Sequence, residues 1–473
     1  MLFASGKYLI FLAIVFFVYW LLAGRRRAPV FFLLLASYYF YALWNPWCLV
    51  FLVLISAVDF GSALAIAWTS RPTVRRLFVL VSVVIDVGCL LAFKYFNFFS
   101  ASAAELLSKL GRPASPLVLN LVLPLGLSFI TFRSLGYVID VYRGTTQASK
   151  RPLEYFTFVA FFPTLIAGPI VRAGELLPQF SEPPTLTSEQ GGRAIFLIML
   201  GMIKKIAIAD FLANNLVDRV FDQPQLYSSL ETLAAIYGYA LQIYCDFSGY
   251  TDIAIGSALL LGFKLPENFN SPYRAIDLRD FWRRWHITLS KWLFDYVYVS
   301  IGGLRKRRLN LYRNLMLTFL IGGLWHGAAW TFVVWGVMHG LGLSVNHAWE
   351  ALRKRLKLKP RRVWWSNALS ILLTFNFVCL TWVVFRAESL PHAWEVLRRL
   401  GAMQFASGNL AVAVLSVLGA GYVAHWFPQR AVEGIGRGWV WLPAPMQAAI
   451  VVLVALGLYY VSGTQAQFIY GNF

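Results

Sequence analysis

Two segments of the chain place a histidine among tryptophans and apolar residues. His286 lies in the run 280–290, Asp-Phe-Trp-Arg-Arg-Trp-His-Ile-Thr-Leu-Ser, and His326 lies in Gly-Gly-Leu-Trp-His-Gly at 322–327. Histidine is the side chain whose ordinary pKa lies near neutrality, so it can accept and return a proton at cellular pH. The two segments therefore predict proton-transfer chemistry carried by His286 and His326.

The elements that position these histidines belong to a membrane protein. Of 473 residues, 59% are hydrophobic and 14% are charged, whereas a soluble domain carries about 25% charged residues. Apolar runs recur at 8–23, 30–43, 49–67, 77–92, 194–203, 315–343, 371–384, 410–423 and 448–461. Because a span needs roughly 20 apolar residues, we expect an all-α polytopic membrane protein with about ten or eleven transmembrane helices, plus re-entrant and interfacial helices.

The basic residues behind the net charge of +20 cluster in the loops between apolar runs. Lysines and arginines cluster at 25–27, 71–76, 305–308 and 353–362, as the positive-inside rule predicts for cytoplasmic loops. This distribution argues against nucleic-acid binding. The arginines at 25–27 follow the first apolar run, which favours a retained helix with its N-terminus outside over a cleaved signal peptide.

The four cysteines carry no recognisable chemistry. Cys48, Cys89, Cys245 and Cys379 are scattered through apolar or aromatic surroundings, without the spacing of metal ligands. They are typical of small buried side chains. We expect neither a disulfide nor a metal site, and no bound cofactor.

The chain is predicted to be a single membrane domain, 1–473, in three parts. Residues 1–120 are plain apolar spans, 121–347 form a catalytic core richer in glycine, proline and polar residues, and 348–473 return to ordinary spans. No internal repeat is evident, which weakens a transporter hypothesis. Within the core, 161–170 holds two prolines and a glycine, so it must pack in protein or line a cavity. A loop near the interface is the alternative.

The periodicity around each histidine leaves a structural role open. If 280–296 is one amphipathic helix, His286 falls in its apolar stripe, where a structural histidine is the competing interpretation. His326 and His339 are the ionisable residues of the run 315–343. On one continuous helix the step from His326 to His339 is a net turn of about 220°, so the two side chains would face away from each other, which disfavours a shared metal. His339 is therefore interpreted as a packing or hydrogen-bonding residue.

A third polar set lies at 242–252, directly after an apolar stretch. Asp246 and Asp252 must be paired or hydrated in such a setting. They would either orient a histidine and bind a polar acceptor, or form ion pairs with Arg283 or Arg284. The sequence leaves both possibilities open.

Taken together, these segments resemble the membrane-bound O-acyltransferase family, in the branch that contains alginate O-acetyltransferase. The resemblance covers nearly the whole chain and rests on seven ordered motifs: LPLGLSF at 123–129, YVIDVYRG at 137–144, FP at 162–163 through AGPIVR at 167–172, YCDFSGY at 244–250, LPENF at 265–269, FWRRWH at 281–286 and LWHG at 324–327. It implies that His326 occupies the catalytic position and His286 the second polar position. It also implies a central tunnel that joins a cytoplasmic acyl donor to an acceptor on the other side.

The function implied by this resemblance is transfer of an acetyl group from acetyl-CoA toward an exported polysaccharide such as alginate, in the bacterial cytoplasmic (inner) membrane. An extracytoplasmic esterase-like acetyltransferase and the polysaccharide export machinery are the expected partners. Other residues are expected to contact substrate or orient the histidines: Asp246, Ser248, Asp252, Trp285 and Trp325. Four basic residues are candidates for the donor phosphates, with an ordinary cytoplasmic loop as the alternative: Arg305, Lys306, Arg307 and Arg308.

Acyl transfer to a hydroxyl needs a base, which predicts His326 as general base. His286 would hold the carbonyl oxygen as negative charge develops. No Gly-x-Ser-x-Gly elbow lies near either histidine, so direct transfer is favoured over an acyl-serine. The alternatives are D-alanyl or acetyl transfer to teichoic acid or peptidoglycan, a proton-coupled transporter, and an inactive scaffold.

Overall fold

The computed structural model describes residues 3–112, 114–303, 308–357, 363–462 and 469. These residues form helices joined by turns and loops, and the described ranges contain no strand, which confirms the all-α prediction. The chain divides into two compact units, Met1–Gly191 with Ser257–Pro266, and Gly192–Gly256 with Glu267–Phe473. The single domain with three parts stays a prediction.

The first unit is built from helices of the N-terminal third of the chain. Its α-helices are Gly6–Leu22, Ala28–Ala42, Pro46–Trp68, Pro72–Leu90, Phe96–Lys109, Leu127–Arg143, Pro152–Ala160 and Ala173–Leu176. A π-helical turn, Leu91–Tyr95, joins two of them, and 3₁₀ turns occur at Phe162–Thr164 and Leu177–Phe180. Proline in the first turn starts several of these helices, because its missing N–H costs nothing there.

The irregular segment 161–170 of the first unit is packed inside protein, as predicted. Phe161, Phe162 and Leu165 are completely buried. The Arg133 guanidinium donates to the carbonyl oxygens of Phe158 at 3.1 Å, Val159 at 2.9 Å and Thr164 at 2.5 Å. These bonds satisfy backbone groups that the break in helical structure leaves unpaired.

The second unit contains the remaining helices. Its α-helices are Ser188–Met202, Asp218–Asp222, Ser229–Leu260, Leu278–Arg284, Ile287–Trp292, Arg308–His326, Trp330–Arg355, Trp364–Arg386, Leu390–Leu400, Val412–Trp426, Gln429–Trp441 and Ala444–Val461. The helix Ser188–Met202 begins in the first unit. Three segments are π-helical: Ile203–Asp210, Ala213–Val217 and Leu293–Tyr298. Short 3₁₀ turns lie at Pro224–Leu226 and Pro272–Arg274. The core of this unit is rich in tryptophan, tyrosine and phenylalanine.

Membrane-spanning helices are present, but their predicted number stays a prediction. Within the described residues, four helices are long and apolar enough to cross a membrane: Pro46–Trp68, Pro72–Lys109, Trp364–Arg386 and Ala444–Val461. Three shorter apolar helices accompany them: Gly6–Leu22, Ala28–Ala42 and Val412–Trp426.

Two helices expected to be continuous are broken at the histidines. The segment 280–296 is divided between Leu278–Arg284 and Ile287–Trp292, and the run 315–343 is divided between Arg308–His326 and Trp330–Arg355. The predictions of unbroken helices were therefore wrong. Periodicity missed both breaks because apolar spacing persists through them, whereas tertiary hydrogen bonds and close packing redirect the backbone.

Candidate active site

His286 lies at the break between two short helices of the second unit. Its backbone adopts φ +40°, in the left-handed region that non-glycine residues rarely occupy. Its side chain is completely buried. A residue held in this conformation and buried must be supported by its surroundings, and such positions cluster at functional sites.

Asn268 supplies that support. Its backbone carbonyl oxygen accepts the N–H of Ile287 at 2.9 Å. Its side-chain oxygen lies 3.1 Å from Nδ1 of His286, 3.2 Å from the backbone nitrogen of Thr288 and 2.9 Å from Oγ1 of Thr288. One asparagine therefore holds three consecutive residues around the bend.

His326 is the last residue of the helix Arg308–His326 and is only 2% exposed. The next helix, Trp330–Arg355, packs closely against it. A Cβ atom built on Gly323 would overlap the carbonyl oxygen of Phe332, and one on Gly336 would overlap that of Phe319. The glycines before His326 thus admit the neighbouring helix.

An aromatic shell surrounds both histidines. The Trp325 ring centroid lies 5.9 Å from that of His286 and 4.9 Å from that of His326. His326 also contacts Trp335 at 5.0 Å and Phe385 at 5.2 Å. The structure therefore joins His286, Trp325 and His326 in one cluster. A cluster of this kind keeps bulk water away from the two imidazole rings.

His339 has a structural role, as predicted. Its Nδ1 accepts a hydrogen bond from Nε1 of Trp282 at 3.3 Å, and its Nε2 lies 3.0 Å from Oγ1 of Thr381. Both ring nitrogens are thus engaged within the protein. His339 links three helices rather than facing a substrate.

Asp246 belongs to a buried ion-pair network. Nζ of Lys205 lies 2.6 Å from Asp246 and 2.7 Å from Asp210. The second oxygen of Asp246 accepts the backbone N–H of Ile469 at 2.9 Å. Asp252 is held in the same manner by Lys204 at 2.6 Å.

The alternative pairing of these aspartates with Arg283 or Arg284 is wrong. Arg284 instead pairs with Asp280, four residues earlier on its own helix, at 2.8 Å. The physical reason is proximity along the chain, since residues four apart lie on one face of a helix. Sequence spacing gave no indication that Lys204 and Lys205 approach the helix Ser229–Leu260.

The remaining predicted residues are placed as follows. Ser248 and Trp285 are buried, and Trp285 packs on Phe269 at 5.1 Å and Trp382 at 5.0 Å between ring centroids. Three of the basic candidates, Arg305, Lys306 and Arg307, lie outside the described residues, and Arg308 begins the helix Arg308–His326.

Sequence reasoning missed the neighbours that shape the His286 side of the cluster. Asn268 is one, and Phe247, whose ring lies 4.7 Å from His286 edge-on, is another. Both belong to motifs quoted above, LPENF and YCDFSGY, but neither was given a role. The asparagine directly before Phe269 was the available signal, because a buried amide side chain must find hydrogen-bond partners.

The fold and the site together define a class of protein: an all-helical membrane protein whose paired histidines lie in a buried aromatic cluster. The model of the membrane-bound O-acyltransferase family matches residues 113–385. The chain belongs to that family, and it is an O-acyltransferase.

Bacterial relatives align with most of the chain. A peptidoglycan O-acetyltransferase of Helicobacter pylori is 40% identical over 386 residues, covering 76% of this chain and 71% of the relative. A probable alginate O-acetylase of Pseudomonas aeruginosa is 40% identical over 377 residues, covering 79% and 70%. A teichoic acid D-alanyltransferase of Streptococcus thermophilus is 31% identical over 282 residues, covering 55% and 68%.

Proposed function

We propose that this O-acyltransferase moves an acetyl group from acetyl-CoA on the cytoplasmic side toward hydroxyl groups of an exported polysaccharide such as alginate. The observation that carries the proposal is the cluster of His286, Trp325 and His326, which places two imidazoles in a buried aromatic environment. Such an environment suits transfer between a thioester and a hydroxyl, because it keeps water from competing.

In the proposed reaction, the hydroxyl oxygen attacks the carbonyl carbon of the thioester. His326 takes the hydroxyl proton as the new C–O bond forms. The C–S bond then breaks, and the proton passes from His326 to the departing thiolate. A general base of this kind accelerates a reaction by roughly 10²–10⁴-fold. His286 is the positioning partner of His326.

The relatives support acetyl as the transferred group. The two relatives at 40% identity are named as an O-acetyltransferase and an O-acetylase, whereas the D-alanyltransferase is 31% identical and covers 55% of the chain. Peptidoglycan remains the second candidate acceptor, since the peptidoglycan O-acetyltransferase is as similar to this chain as the alginate relative. Both polymers present sugar hydroxyls outside the cytoplasmic membrane.

The proposal places the protein as a multi-pass protein of the bacterial inner membrane. An extracytoplasmic esterase-like acetyltransferase would complete the transfer together with the polysaccharide export machinery. The basic residues at 305–308 would hold the phosphates of acetyl-CoA. Five residues would contact the substrate or orient the histidines: Asp246, Ser248, Asp252, Trp285 and Trp325.

The decisive experiment measures ester-linked acetate on the exported polymers of wild-type cells, a deletion strain, and strains carrying His326→Ala or His347→Ala at matched membrane levels. His347 is a partly exposed histidine outside the cluster and serves as the control. We expect His326→Ala to lose acetate as completely as the deletion, and His347→Ala to keep it. Wild-type acetate in His326→Ala, with none in the deletion, would favour a scaffold.

A further inference from the structure

The side-chain oxygen of Asn268 is the common acceptor of three donors at the bend. Asn268 is 1% exposed, so the bonds it makes within the protein account for its side-chain oxygen. The nitrogen of Thr288 at 3.2 Å is a backbone N–H, which can only donate. The hydroxyl of Thr288 donates to the same oxygen at 2.9 Å.

These contacts determine the orientation of the amide. If the amide were rotated by 180°, its NH₂ group would face the backbone N–H of Thr288, donor against donor. The hydrogen-bond network therefore assigns the oxygen of Asn268 to this side. An amide oxygen has no proton to give, so the His286 Nδ1 atom, 3.1 Å away, must carry one.

We infer that Asn268 is a positioning residue that sets the tautomer of His286, with the proton on Nδ1 and the lone pair on Nε2. The inference rests on the proposed function and deepens it. The neutral ring then offers a hydrogen-bond acceptor at Nε2. It cannot donate to a carbonyl oxygen, which is the role first expected of His286, unless it has taken up a proton.

This tautomer restricts what His286 can do in the proposed reaction. The attacking hydroxyl gives its proton to His326. His286, whose proton is held on Nδ1 by Asn268, acts by positioning and supplies no proton to the carbonyl oxygen.

The test compares Asn268→Asp with Asn268→Leu in isolated membranes, with transfer from radiolabelled acetyl-CoA to polymer measured across pH. Asp keeps an oxygen acceptor for Thr288 and for His286 Nδ1, whereas Leu removes it. Asn376 lies outside the cluster and accepts a hydrogen bond from the Tyr237 hydroxyl at 2.9 Å. It supplies the control variants Asn376→Asp and Asn376→Leu. Activities are normalised to folded protein.

We expect Asn268→Leu to lose at least tenfold in kcat and Asn268→Asp to retain most of it. The carboxylate stabilises the protonated imidazole, so the acid limb of the Asn268→Asp profile should move about one pH unit or more upward. The control variants should keep the wild-type profile. A shifted pH profile in Asn268→Asp would show that Asn268 controls the proton on His286, because a purely structural role of Asn268 would leave the profile unchanged.

Two results would overturn the inference: an unchanged pH profile in Asn268→Asp, or an Asp variant that is as inactive per folded molecule as the Leu variant. Failure of the proposed function is distinguishable, since it would appear as retained acetate in His326→Ala whatever Asn268→Asp shows.

Discussion

Nζ of Lys205 lies 2.6 Å from Oδ1 of Asp246, and both side chains are almost completely buried. Because Lys205 belongs to the π-helical Ile203–Asp210 and Asp246 to the helix Ser229–Leu260, this ion pair joins two separate elements of the second unit. Asp246 also accepts the backbone N–H of Ile469, so the same carboxylate holds the chain near its C-terminal end.

Removing one partner of this pair should destabilise the protein strongly. Lys205→Met leaves the carboxylates of Asp246 and Asp210 buried without their cation, which costs about 3–5 kcal/mol for a buried pair. Glu350→Gln, which removes a half-exposed partner of Arg279 at 2.6 Å, should cost less than about 1 kcal/mol. Denaturant unfolding of the purified protein in detergent measures both. Equal losses in the free energy of unfolding would contradict the prediction that the buried Lys205 pair contributes more to stability than the exposed Glu350 pair.

The close approach of two helices at Gly323 predicts a steric effect next to His326. Gly323→Ala places a Cβ against the carbonyl oxygen of Phe332, and overpacking of this kind costs about 1–3 kcal/mol. Gly419→Ala, in a helix with open space around that glycine, should be neutral or slightly stabilising. Thermal stability and acetyl transfer should both fall in Gly323→Ala alone. Wild-type activity in Gly323→Ala would contradict this account of the helix pair.

The two buried histidines should respond differently to the same substitution. His326→Gln removes the proposed base, so transfer should fall by roughly 10²–10⁴-fold while membrane levels stay normal. His339→Gln disturbs the bonds to Trp282 and Thr381, so stability should fall by about 1–3 kcal/mol while activity per folded molecule stays near wild type. Parallel assays of rate and unfolding separate the two roles, and an inactive but stable His339→Gln would overturn the assignment.

The basic cluster at 305–308 gives a prediction about the donor. Replacing Arg305, Lys306 and Arg307 with glutamine should raise KM for acetyl-CoA by about tenfold or more, since each charge-assisted contact to phosphate contributes to binding. The same replacement of the arginines at 25–27 should leave KM unchanged. If both triple variants behave alike at matched membrane levels, the cluster at 305–308 serves topology alone.

The sequence predicted the helical class, the membrane setting and the two histidine segments. Each of these follows from composition or from local pattern: apolar runs must be helical in lipid, and a histidine among apolar residues stands out without any structure. The structural role of His339 was also predicted, but from one continuous helix through both histidines, which the break after His326 contradicts.

The tertiary structure decided the contacts between segments that are distant along the chain. The oxygen of Asn268 lies 3.1 Å from Nδ1 of His286 across 18 residues, and Lys205 lies 2.6 Å from Asp246 across 41. The break at His286 lies where Asn268 binds the backbone of Ile287 and Thr288. The sequence by itself determines which residues can carry acyl-transfer chemistry, because that depends on side-chain type and hydrophobic setting. Their tautomers, ion pairs and close approaches depend on which helices meet, and only packing decides that.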